Sequence, residues 1–144
     1  MHGVKLFSPV SGTVLALESV PDPVFAGLML GPGIAVQPHS SGTVSVRAPI
    51  AGTVSTARAH AVIIGPCLVH AGVDTFKSDA LSCTTSVGAD VGVGTPIITM
   101  DLDRFGSLAS VVMATFPEHE KTAWHQHVEP GAVVTAGTLL GTLS

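Results

Sequence analysis

Residues 8–14 read SPVSGTV and residues 48–54 read APIAGTV, while GADVGVGTPI at 88–97 returns as GAVVTAGTLL at 131–140. The offsets, 40 and 43 positions, nearly agree, yet each unit occurs only twice. A solenoid needs at least three stacked repeats to close its core, so this pattern instead requires two related halves that cover one another. The Pro-x-x-Gly spacing inside the first pair marks tight turns in which glycine supplies the conformational freedom. Between the turns, Val and Thr collect in short runs that suit a pleated, half-buried strand and leave no sustained helical period. The expected fold is therefore all-β, an antiparallel β-sandwich or barrel with duplicated halves. Helix should be confined to a turn or two at 22–26, 102–107 and 119–124.

A chain of 144 residues, 46% hydrophobic, can bury a core of ordinary size, so one domain spanning 1–144 is expected. No apolar run reaches the ~18 residues of a membrane span, and the N-terminus lacks a basic region followed by an apolar one. Both observations point to a cytoplasmic protein with no membrane insertion. With 11% charged residues and a net charge of −4, the sequence has no basic footprint for nucleic acid. Cys67 and Cys83 form no CxxC pair and are read as packing residues in a reducing compartment.

Chemistry concentrates in one segment. His60 opens the apolar run Ala61-Val62-Ile63-Ile64, and His70 closes Cys67-Leu68-Val69, with Gly65-Pro66 between them. Two strands joined by a tight turn follow. With Ile64, Gly65 and Pro66 as the loop, His60 falls opposite His70, where Cβ atoms stand about 4.5–5.5 Å apart. Two imidazoles could then hold one small group between them. Period-two alternation adds Arg58 to the same face.

The ordered set formed by residues 8–14, 20–26, 31–36, 48–54 and the stretch His70-Ala71-Gly72-Val73-Asp74-Thr75 resembles the IIA component of the glucose family of the bacterial sugar phosphotransferase system. The likeness runs over residues 7–143. It implies a phosphotransferase component, monomeric when separate and without a cofactor. The family's HxGxDT histidine, here His70, takes phosphate from the histidine of HPr and passes it to a cysteine of a IIB domain. His60 matches the second histidine, which assists onward transfer. A neutral imidazole is a good nucleophile near pH 7, and the phosphorus–nitrogen bond it forms leaves readily, which suits a relay.

Two departures stand out. The segment between the histidines is several residues shorter than in better-known members. Where the family commonly has a phosphate-contacting threonine, this chain has Arg58, which can give a phosphoryl group a charge-assisted pair of hydrogen bonds. The resemblance also places Phe25 on an apolar rim that seals against partners, with Val62 and Leu68 beside it, and Asp22 and Asp74 as flanking acids that meet basic residues of HPr. A rival reading comes from His125-Gln126-His127, which together with the HxGxD at 70–74 is similar to zinc endopeptidases of the lysostaphin type. Without obvious further ligands, these histidines are read as surface residues and no metal is expected. A regulatory binding module without phosphotransfer is the third class.

Overall fold

The computed structural model describes residues 3–144; residues 1–2 of the expected domain lie outside the described residues. The strands are β1 (Val4–Phe7), β2 (Gly12–Leu15), β3 (Gly33–Pro38), β4 (Thr43–Arg47), β5 (Gly52–Ala57), β6 (Ala61–Ile64) and β7 (Cys67–Ala71), followed by β8 (Leu81–Cys83), β9 (Asp90–Val91), β10 (Pro96–Asp101), β11 (Val112–Thr115), β12 (Trp124–Gln126), β13 (Val133–Val134) and β14 (Leu139–Leu143). All described strand pairings are antiparallel. An eight-stranded sheet runs β13-β2-β3-β11-β7-β6-β5-β9, and two three-stranded sheets run β1-β14-β12 and β4-β10-β8.

The sequence repeat is legible in this topology as an approximate two-fold axis. The paired ends of the large sheet, β13-β2 and β5-β9, are the two repeat pairs, and the two small sheets correspond strand for strand. Reciprocal backbone bonds knit the halves together. Phe7 N–H donates to Pro49 O at 2.9 Å, and Arg47 N–H donates to Pro9 O at 2.9 Å. Through these two bonds each half satisfies backbone groups that the other would leave unpaired in the interior. Within the halves an equivalent bond repeats: Gly137 N–H donates to Ser8 O, and Gly94 N–H to Ala48 O, both at 2.9 Å.

Alternation along the strands sorts side chains to two faces. Val14, Val36, Val112 and Ala71 point into the main core, together with Ile34, Ala114, Val69 and Val62. On the other face a row runs across the sheet through the directly paired residues Leu15, Ala35, Met113, His70 and Ala61. That face would lie open but for residues 17–30, which fold back over it. There Leu17, Val20 and Phe25 make a second apolar cluster with Ala35, Leu68 and Met113. Burying a side chain the size of Phe25 contributes about 2–3 kcal/mol toward holding this cover in place.

The expected helical turns appear as α1 (Pro23–Ala26) and as 3-10 turns over Leu102–Arg104 and Lys121–Ala123; a further one, Leu17–Ser19, had no sequence signal. Asp22 caps α1, its carboxylate accepting from Val24 N–H at 2.9 Å, and Pro23 occupies the first turn, where its missing donor costs nothing.

The candidate histidine site

His70 lies on β7, a central strand of the large sheet, between Ala61 of β6 and Met113 of β11. The hairpin register differs by one residue from the sequence expectation. Ile64 pairs with Cys67 and leaves a two-residue loop, Gly65-Pro66, in which Gly65 takes φ 52°. His70 therefore faces Ala61 and not His60. A one-residue slip exchanges the two faces of a strand, so Val62, expected beside the histidines, is fully buried in the main core. Its place on the outer face is taken by Ile63, half-buried opposite Leu68.

The histidines nonetheless meet. Arg58 and Ala61 exchange backbone hydrogen bonds of 2.9 and 3.3 Å, closing a tight turn over Ala59 and His60. His60 thus sits in the turn between β5 and β6, and its carbonyl accepts from Ala71 N–H at 2.8 Å. The turn swings its ring onto that of His70, with centroids 5.4 Å apart at 76°. Arg58 opens the same turn and is exposed; its position comes from the turn and not from strand alternation.

Phe25, expected on the rim, is only 3% exposed; its ring lies 5.1 Å from that of His70, nearly edge-on at 63°. It walls the imidazole from within the second cluster. Leu68, at 9% exposure, is a member of the same layer and has little surface to offer a partner. Asp22 is half-buried at the cap of α1, whereas Asp74 is exposed, with φ 58° just past the Gly72 turn.

No residue pattern announces the group that orients His70. Its Nδ1 lies 2.8 Å from the Gly72 carbonyl oxygen. A carbonyl can only accept, so Nδ1 carries the proton and Nε2 keeps its lone pair. Gly72 itself has φ 74°, and its N–H donates to Val111 O at 2.8 Å, while the Thr75 hydroxyl donates to Ala71 O at 2.6 Å. These bonds fix the oxygen that fixes the ring.

Both imidazoles favour the neutral form. Burial pushes the His70 pKa below its ordinary 6.5, and the nearby His60 adds to this, against the opposing pull of the Gly72 carbonyl, Asp22 and Asp74. His60 is lowered by burial and then by the Arg58 charge. At neutral pH the pair therefore offers a lone pair on His70 and an uncharged imidazole beside it, the protonation state a nucleophile requires.

The comparisons with known proteins decide the family. The model described as the phosphoenolpyruvate-dependent sugar phosphotransferase system, EIIA 1, matches residues 4–116. The chain belongs to this EIIA family. A glucose-specific EIIA component of Staphylococcus epidermidis is 32% identical over 120 residues, covering 77% of this chain and 70% of that protein. An N-acetylglucosamine-specific EIICBA component of Klebsiella pneumoniae is 41% identical over 108 residues, covering 69% of this chain but only 16% of that protein. In fold, the EIIA chain resembles the glucose permease IIA of Mycoplasma capricolum, with a TM-score of 0.82 over 100% of this chain and 97% of that one, at 24% identity.

The remaining sequence candidates fall elsewhere. His125 and His127 flank Gln126 at the end of β12, in a different sheet from His70; they are exposed, and hydrogen-bond Ser144 at 3.1 Å and Thr142 at 3.3 Å. Among the described residues no group of three or more His, Cys, Asp or Glu is placed to hold a metal ion, and no helix is long and apolar enough to cross a membrane. Cys67 is fully buried, which pushes its thiol up to about 12.

Proposed function

We propose that this EIIA protein carries a phosphoryl group on Nε2 of His70, taking it from phospho-HPr and passing it to a cysteine on a IIB domain of a sugar permease. The observation that carries this reading is the Nδ1–H donated to the Gly72 carbonyl, because it leaves Nε2 as the one nitrogen free to act as nucleophile. In the first step the Nε2 lone pair attacks phosphorus, and the donor imidazole departs with the electrons of its P–N bond. In the second, a thiolate attacks the same phosphorus, a P–S bond forms, and His70 recovers its lone pair. No proton has to leave His70 in either step, so the Gly72 bond persists through the cycle.

His60 is cast as the assistant: uncharged and in ring contact with His70, it can hydrogen-bond a phosphoryl oxygen on Nε2. The half-buried residues Leu15, Leu28, Leu30, Ile63 and Ala109, packed around the second cluster, supply apolar surface near the histidines on which partners would dock and shut out water. Asp22 and Asp74 add negative charge whose influence reaches His70, suiting a basic donor and raising its rate of encounter. The IIB acceptor accords with the EIICBA relative named above, and the site of action would be the cytoplasm.

Incubation with phosphoenolpyruvate, enzyme I and HPr should add one acid-labile phosphoryl group, measured by intact mass. His70→Ala should take none. A labelled His70→Ala protein, or an unlabelled wild type, would overturn the assignment.

A further inference from the structure

Of the six Lys and Arg residues, four are engaged. Arg47 donates to Gly94 O, Arg104 pairs with Asp79 at 2.6 Å, Lys121 lies 3.5 Å from Glu18, and Lys77 sits over the Phe76 ring. Lys5 belongs to β1, in another sheet from the histidines. Arg58 is left. Its guanidinium has no hydrogen-bond or carboxylate partner among the described residues, although it opens the four-residue turn that carries His60. Arg58 is exposed and borders a hollow of about 310 Å³ with Ser55, Thr56, Ala57 and Val87.

Electrostatics give this unpaired cation a task. The charged groups felt at the two histidines are Asp22 and Asp74 at His70 and Arg58 at His60. A phosphoryl group on His70 brings roughly two further negative charges into that neighbourhood. Without a cation the product would stand beside two carboxylates with no counter-charge.

Resting on the carrier reading, we propose that Arg58 is the phosphoryl-binding cation of this site, donating from its guanidinium to the phosphoryl oxygens on His70. It is a positioning and charge-balancing residue that engages only after the group has arrived. Before that, its charge helps keep His60 neutral. Arg58 is bonded through its backbone to Ala61, the residue that pairs with His70, and a planar donor array on a long stem is what favours arginine for phosphate.

The test is phosphorylation with potassium phosphoramidate, which needs no partner protein, on wild type, Arg58→Gln, Arg58→Lys and His70→Ala. Arg58→Gln should take the label but lose it roughly three- to tenfold faster, the range for a charge-assisted contact weakened by exposure. The phosphoryl resonance followed by phosphorus NMR should titrate at higher pH in Arg58→Gln, and Arg58→Lys should restore part of both effects. A purely structural Arg58 would not move that titration. Equal lifetimes and titrations in Arg58→Gln and wild type overturn the assignment of Arg58 alone. Absence of label in wild type overturns the carrier reading and this proposal with it.

Discussion

Replacing Gly72 by alanine tests the link from backbone to chemistry. At φ 74° an L side chain costs about 1–2 kcal/mol. The added Cβ would also stand 2.5 Å from Thr75 Cγ2, 2.9 Å from the Ala109 carbonyl oxygen and 3.0 Å from Phe105 Cε2. Thr75 is tied down by its bond to Ala71 O and the second contact is backbone, so the strain cannot be relieved by one rotamer change. Overpacking of this kind costs about 1–3 kcal/mol, giving a total of about 2–5 kcal/mol. With a urea dependence of about 2 kcal/mol per molar, the unfolding midpoint should fall by about 1–2.5 M. The functional effect is separable from this loss. Any relief of the clash moves the Gly72 carbonyl, so in the folded variant the Nδ1–H of His70 should lose its bond, read as a changed nitrogen-15 tautomer signature, and phosphoryl acceptance should slow. A Gly72→Ala protein within about 0.5 kcal/mol of wild type, with the His70 tautomer unchanged, would refute the role given to this turn.

Other consequences follow from the same geometry. In His60→Gln, acceptance from phospho-HPr should persist while donation to a IIB domain falls about tenfold or more, a split measured in single-turnover assays. Both imidazoles should titrate below 6.5 by proton NMR. Because the folded protein then binds fewer protons than the unfolded chain, stability should be full above about pH 6.5 and decline as pH falls through the lowered values, which denaturant midpoints at pH 7.5 and 5.5 would show. Val62→Asp should prevent folding, since it puts a charge into the main core, whereas Ile63→Asp should fold, by circular dichroism, and weaken transfer by disturbing apolar surface near the histidines.

The duplicated architecture was legible because its signal is made of turns. Pro and Gly at fixed offsets restrict the backbone locally, and the two pairs of segments fall at equivalent places in the sheets. The hairpin register was not legible, for a physical reason. Ala61, Val62, Ile63 and Ile64 are apolar on both faces, since one face meets the core and the other lies beneath residues 17–30. Without polar alternation nothing in the sequence separates the two registers, and a two-residue loop looks like a three-residue one. The same hidden layer explains Phe25. The family resemblance places it beside the site but does not reveal that the segment carrying it folds inward. His60 and His70 come together despite the slipped register because the Arg58–Ala61 turn compensates for it, and that turn carries no Gly or Pro to announce it.

The bond between His70 Nδ1 and Gly72 bears on kinetics. With one ring nitrogen committed to the backbone, the carrier role proposed above has a single loading port, Nε2 of His70, through which cargo would both enter and leave. Donor and acceptor proteins could not be seated together. Steady-state velocities at low concentrations of both proteins should give the parallel double-reciprocal lines of a ping-pong cycle, and an excess of either should steepen them by competing for the form that the other needs.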